Sequence, residues 1–128
     1  MKILLDTQIA LWWVSEHENL SPKVKAILLD DENALFLSIV SIWEIAIKSS
    51  IGKLPNFTNG VSAFMANVEN MPIELLPITP THAEAVERLP FIHRDHFDRM
   101  LVATAIIEGL IILSTDEDIR KYNVPSIW

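Results

Sequence analysis

Four short, nearly continuous apolar runs constrain this chain more than any other feature. They are Ile3-Leu4-Leu5, the span 34–39, the span 73–76 and Leu110-Ile111-Ile112-Leu113. A strand that alternates polar and apolar residues keeps one face in water, whereas a continuous run must be covered on both faces. Helical patterns lie between the runs and supply the cover. The spacing predicts helices from Asp6 through Trp13, over 22–31 with Ser21 as cap and Pro22 in the first turn, and over 41–50, stopped by Gly52 and Pro55. It also predicts helices over 58–70, where Val61, Phe64, Met65 and Val68 recur at helical spacing, over 80–89, and from Asp95 through Glu108. A short helical turn starts at Asp116, and 124–127 offers a fifth strand. Strands alternating with helices predict an α/β domain with a mostly parallel central sheet of four to five strands, flanked by helices and joined by right-handed crossovers. The length of 128 residues suits one domain, 1–128, with a core that needs no staples.

Composition narrows the chemistry. The absence of cysteine excludes disulfides, thiolate metal sites and a cysteine nucleophile, and it fits a cytoplasmic protein. The start lacks the apolar run of a signal peptide. The apolar stretches 9–14 and 101–113 are too short, or interrupted by Thr104 and Glu108, to reach the roughly 20 residues of a membrane helix. Lys and Arg total 10 against 17 Asp and Glu, a net charge of −7. That balance excludes a protein that grips nucleic acid by bulk positive charge. It leaves room for a nucleic-acid enzyme, because a few clustered acids hold a metal ion that reverses the local sign.

The acids therefore matter by position. In an open α/β sheet, ligands bind beyond the carboxyl ends of the strands. Asp6 directly follows the first strand, Glu44 falls in the first turn of the helix 41–50, Asp98 in the first turn of the long helix, and Asp116 behind Ser114 and Thr115. Each has a structural alternative. Ser41-Ile42-Trp43-Glu44 matches a capping box, Asp95 and Asp98 suit a helix start, and Asp116 suits another. Asp6 resists this reading, because a carboxylate at the end of a buried strand is desolvated. Two carboxylates about 5 Å apart repel by roughly 3 kcal/mol at an effective dielectric near 20. Four together call for a cation. An all-oxygen donor set suits Mg²⁺ or Mn²⁺ and not zinc, and such an ion suits phosphodiester hydrolysis.

Leu4-Leu5-Asp6-Thr7, Ser41-Ile42-Trp43-Glu44-Ile45-Ala46-Ile47-Lys48, the segment from His93-Arg94-Asp95-His96-Phe97-Asp98-Arg99 through Ala103, and Ser114-Thr115-Asp116 together resemble the PIN-domain ribonucleases. The likeness is strongest to the VapC-type toxins of bacterial toxin–antitoxin pairs, and it runs essentially end to end. By position, the family's acidic set falls on Asp6, Glu44, Asp98 and Asp116. The resemblance implies a Mg²⁺- or Mn²⁺-dependent endoribonuclease, a homodimer, an RNA substrate and a VapB-type antitoxin that blocks the site. In the mechanism expected, Asp6 and Asp116 hold the ion most directly, Glu44 and Asp98 act through it or its waters, and an ion-activated water attacks phosphorus. His96 stands where family members often carry Pro, and Gln8 where they often carry His or Ser. Neither departure removes a carboxylate.

Other residues carry two readings each. Asp95 reads first as a helix cap and second as an auxiliary acid, while Asp118 reads first as solvated and second as a substitute for Asp116. Thr7, Thr115 and Ser114 read first as turn caps and second as groups that orient a carboxylate or touch phosphate. Among the bases near the motifs, Lys48, Lys53, Arg94 and Arg99, Lys48 divides between an ordinary pair with Glu44 and a phosphate contact. Arg99 divides likewise between an ion pair and a phosphate contact. His93 and His96 lack a third nitrogen ligand for zinc, and His17 and His82 carry no signal. Trp12, Trp13 and Trp43 point to core in part and to a partner surface in part, since 9–14 is apolar on every helical face. Two rival functions share this frame: a receiver-like phosphoacceptor domain and a PIN-like scaffold that only binds.

Overall fold

β1 (Lys2–Leu5) lies at the centre of the sheet, and its apolar residues decide which helices lie on which face. Ile3 and Leu5 point into one buried cluster, and Leu4 points into the other. All three are fully buried, as a continuous apolar run requires. The computed structural model describes residues 1–54 and 60–128. From β1 the chain runs through α1 (Thr7–Val14), α2 (Pro22–Leu29), β2 (Ala34–Ser38), α3 (Ile39–Ser50) and α4 (Gly60–Val68). It continues through β3 (Ile73–Leu76), α5 (Pro80–Glu87), α6 (His96–Glu108), β4 (Ile111–Leu113), α7 (Glu117–Arg120) and β5 (Ser126–Ile127). The five strands form one parallel sheet in the order β3-β2-β1-β4-β5.

One face of the sheet packs Ile3, Leu5, Leu35, Leu37 and Leu113 against Ile9, Val24, Leu28, Ile45 and Phe64 from the helices α1 to α4. The other packs Leu4 and Ile112 against Leu101, Val102 and Ala105 of α6, with Ala85 of α5 and Ile119 of α7. The flavodoxin-like order, 2-1-3-4-5, is a different one. The receiver-like alternative, which requires it, is therefore set aside. The order seen here reverses direction beside β1, so the connections leaving β1 and β4 diverge and open a crevice at their carboxyl ends. Pairing of Leu5 with Leu113 sets the depth of that crevice, and the Asp6 amide donates to the Leu113 carbonyl at 3.0 Å to extend the ladder.

Several boundaries differ from those the sequence predicts. The second strand ends at Ser38 and not at Ile39, and Ser38, not Ser41, caps α3 by accepting from the Val40 amide at 3.1 Å. Ile39 and Val40 are β-branched, which makes the first turn of α3 read as more strand. Glu44 therefore stands in the second turn, and Ser41 sits inside the helix with no capping box. α2 and α5 end two residues earlier than predicted, at Leu29 and Glu87. β4 starts one residue later and β5 is confined to Ser126–Ile127. Of the helix predicted over 58–70, Gly60–Val68 is observed, while Pro55, Thr58 and Asn59 lie outside the described residues. Gly109, at φ 67°, ends α6 in the left-handed conformation that favours glycine, turning the chain into β4.

His82, which carried no signal in the sequence, is completely buried and ties α5 to α6. Its Nδ1 accepts from the Thr79 amide at 3.1 Å, which leaves Nε2 to donate to Glu108 Oε1 at 2.7 Å. Replacing His82 by Ala removes both bonds and opens a cavity, at a cost of about 2–3 kcal/mol. Urea unfolding of His82→Ala should show a lower midpoint with an unchanged slope.

Candidate active site

The acids converge in the crevice. A cleft of about 460 Å³ is lined by Asp6, Glu44, Asp95, Asp98 and Asp116, with Thr7, Thr115, Lys48 and Lys53 among its other walls. Each carboxylate comes from a separate structural cause. Asp6 occupies the cap position of α1, yet its carboxylate closes no capping bond, and the Gln8 amide merely faces it. It accepts instead from Ser114 Oγ at 2.6 Å, across the β1–β4 boundary. Ser114 Oγ in turn accepts from the Asp116 amide at 3.0 Å, so one fully buried hydroxyl fixes two acids relative to each other. Asp116 caps α7, with Oδ1 accepting from the Asp118 amide at 2.8 Å.

Glu44 projects from the second turn of α3 toward the start of α1. Thr7 Oγ1 donates to its Oε1 at 2.7 Å and lies 2.8 Å from Ser41 Oγ, while Lys48 Nζ holds Oε2 from one turn along the helix. Asp98 sits in the first turn of α6, capped by Asp95 Oδ1 through the Asp98 amide at 3.0 Å. Its Oδ2 lies 3.2 Å from His93 Nε2, and His93 Nδ1 lies 2.8 Å from the Tyr122 hydroxyl. Asp6, Glu44 and Asp98 are all buried.

The PIN domain family matches residues 3–125. This chain belongs to it. A similar curated relative is the ribonuclease VapC22 of Mycobacterium tuberculosis, 25% identical over 130 residues and covering 98% of each chain. Among solved structures, VapBC2 from Rickettsia felis bound to a DNA fragment from its promoter has a TM-score of 0.74 at 13% identity, covering 99% of this chain and 98% of that one. DNA-bound VapBC from Salmonella typhimurium gives 0.71 at 14% identity, over 99% and 97%. FitAcB from Neisseria gonorrhoeae gives 0.69 at 19% identity, over 98% and 96%.

In this PIN domain the structure brings Asp6, Glu44, Asp98 and Asp116 to one cleft, together with Asp95, Thr115 and Lys48. Arg99 is elsewhere. It is buried and donates to the carbonyls of Pro90 (2.8 Å) and Val86 (3.3 Å) and to the Tyr122 hydroxyl (3.1 Å). Neither an ion pair nor a place in the cleft belongs to it among the described residues. Asp118 pairs with Lys121 at 2.9 Å and does not line the cleft. Thr7, read first as a turn cap, orients a carboxylate instead, while Ser114 does both, capping the turn to Asp116 and orienting Asp6. Trp43 is 58% exposed and meets Phe97 edge-on, whereas Trp12 and Trp13 are partly buried against the core, Trp12 beside Trp128.

Electrostatics leave this cleft short of positive charge. Burial, assisted by Glu44 and Asp116, pushes the Asp6 carboxyl up to about 6 against the opposing pull of the Ser114 hydrogen bond. Burial, then the charges of Asp6, Asp95, Asp116 and Glu44, pushes Asp98 to about 8. Five carboxylates face two lysines, one of them already tied to Glu44, which is an all-oxygen donor set short of positive charge. Among the described residues no three His, Asp or Glu side chains stand close enough to enclose an ion, so coordination needs the carboxylates to swing together.

Raised carboxyl values mean that the metal-free folded protein holds more protons than the unfolded chain between about pH 4 and 8. Its stability therefore falls as pH rises through that window. In EDTA, Asp98→Asn should flatten this slope and raise the melting temperature at the alkaline end, by the equivalent of about 1–3 kcal/mol after solvent screening. Mg²⁺ or Mn²⁺ should restore the native chain there. Melting curves across the window with and without EDTA check both, and a metal-free stability that climbs with pH would contradict the burial argument.

Proposed function

We propose that this PIN domain is a metal-dependent endoribonuclease, the toxin of a toxin–antitoxin pair of the VapBC kind, with Asp6, Glu44, Asp98 and Asp116 holding Mg²⁺ or Mn²⁺. The observation that carries the reading is the meeting of four carboxylates from four chain segments at the β1/β4 crevice, where burial and the neighbouring acids raise the affinity of Asp6 and Asp98 for protons. The curated relative is a ribonuclease, and the solved neighbours are VapB–VapC and FitA–FitB type complexes, which supports the same reading.

When bound, a divalent ion of this class lowers the pKa of water and offsets the negative charge that develops at phosphorus. The chain's own residues place the donors. Ser114 turns one Asp6 oxygen toward β4 and leaves the other for the cleft. Thr7 and Lys48 hold both oxygens of Glu44 at the far wall. Lys53 lines the same cleft and offers positive charge to a phosphate, and Lys48 is the second such group. Asp95 and Thr115 complete the rim. The antitoxin and the second copy of a homodimer are proposed to use Trp43 and its neighbours along α3, with Trp12 and Trp13 secondary. Ile39, Trp43, Ile47 and Ile51 form an exposed apolar row at four-residue spacing. No helix among the described residues is long and apolar enough to cross a membrane.

Cleavage of total cellular RNA with Mn²⁺ tests the proposal, comparing the native chain with Asp6→Asn and Asp116→Asn. Both variants should fold and lose activity by more than the ~10–100-fold typical of outer groups. EDTA should abolish native cleavage. A folded Asp6→Asn with full metal-dependent activity would sink the assignment. It would also lose its support if the native chain left RNA intact under these conditions, which is the outcome a binding scaffold gives.

The two hydroxyls give a graded expectation. Thr7→Val and Ser114→Ala remove an orienting bond without removing a carboxylate, so each should cost about 10–100-fold in activity or metal affinity. Metal titration alongside the cleavage assay separates the two effects.

A further inference from the structure

A second cavity, of about 660 Å³, lies beside the acid cleft and has the opposite character. It is lined by Phe91, Ile92, His93, Arg94, His96 and Arg99, and no carboxylate is among them. In a chain with 17 acids and 10 bases, a cavity walled by two arginines and two histidines is a marked departure from the average surface. The two cavities share a wall. His93 lines the second one and lies 3.2 Å from Asp98, which lines the first.

Phe91 is the most exposed large apolar side chain described, at 89%. Burial cannot hold a ring so exposed, and a hydrophobic role within the fold does not account for it. What positions it is Arg99, whose guanidinium carbon lies 4.7 Å from the ring centre. Arg99 cannot drift, because Pro90, Val86 and Tyr122 fix its nitrogens. One face of Phe91 thus rests on a rigid buried cation and the rest of the ring stands in solvent. Arg94 is exposed, and among the described residues it makes no ion pair. An open aromatic face beside a free guanidinium matches the two halves of a nucleotide, the base and the phosphate.

We propose that this cavity is a nucleotide subsite, in which Phe91 stacks the unpaired base next to the scissile phosphate and Arg94 holds that nucleotide's phosphate. The assignment rests on the ribonuclease reading above and adds to it the side chains that hold one nucleotide of the strand. Bases inside an A-form duplex are stacked on each other and cannot reach an aromatic ring, whereas those of loops and ends can. An acidic peptide would use the charge of Arg94 but has no use for the presented ring.

The test measures binding of a short fluorescein-labelled RNA of mixed sequence, in Mg²⁺, by anisotropy. Each variant is made in an Asp6→Asn background to keep the strand intact. Phe91→Ala should weaken binding about five- to a hundredfold, Phe91→Trp should retain it, and Arg94→Ala should reduce the salt slope by about one. The same strand annealed to its complement should bind weakly. Melting temperatures should stay within a degree or two, since neither side chain is buried. With Asp6 restored, the loss should fall on KM more than on kcat. Native-like binding by Phe91→Ala and Arg94→Ala, or equal binding of duplex, overturns the subsite even if Asp6→Asn abolishes cleavage. Weakened binding by both variants, in a protein that cleaves no RNA, supports the subsite and removes the ribonuclease reading. Variants that bind RNA normally but lose a protein partner overturn it in favour of a protein-docking surface.

Discussion

Everything in this fold depends on β1 being covered on both faces. Ile3, Leu4 and Leu5 admit no water, so helices must lie on either side of the sheet and the connections must diverge next to the central strand. That divergence creates the crevice, and the same burial makes the residue after Leu5 decisive. A carboxylate placed there stands at the end of a dry strand, with its amide already used in the ladder. Asp6 is thus both a product of the fold and a load on it.

The load is relieved in part by hydroxyls. Ser114 and Thr7 each supply one short bond to an acid, and each comes from a segment other than that of the acid it holds. Hydrogen bonds to a carboxylate lower its proton affinity, while burial and like charges raise it. At Asp6 the second influence prevails, and at Asp98, where repulsion comes from four other acids, it prevails by more. The cleft is therefore held in a state that a bound divalent cation would relieve. Stability forgone in the metal-free protein would reappear as affinity for such an ion, since whatever binds only the folded chain stabilises it.

Sequence patterns reached the strands, the parallel sheet and the edge on which the acids meet, because each follows from local periodicity and from the position of a residue relative to a strand end. What they missed involved partners distant in the chain. Nothing near Glu44 announces Thr7, and the capping box with Ser41, the structural alternative to a place in the site, is not formed; Ser38, three residues earlier, does the capping. Ser114 sits where a turn cap would sit, and only the neighbouring strand shows that its partner is Asp6. Arg99 failed for a different reason. Its acceptors are carbonyls of Pro90 and Val86 and the Tyr122 hydroxyl, and the two carbonyls leave no trace in side-chain identity. His82 was silent for the same cause, with one of its two bonds to backbone.

Net charge looks different once residues have places. The value of −7 describes a surface average that no approaching strand meets. A polyanion meets two adjoining regions of opposite sign, the acid cleft and the cavity of Arg94 and Phe91. Without a cation the first repels it over about a Debye length, roughly 8 Å at physiological salt, a reach that takes in the neighbouring cavity. On the proposed function, a divalent ion would offset most of the charge of the cleft, and the two regions would act together on successive phosphates. Metal occupancy would then govern substrate binding as well as chemistry. On the proposed function, the acidity of the chain would hold RNA weakly until the site is loaded.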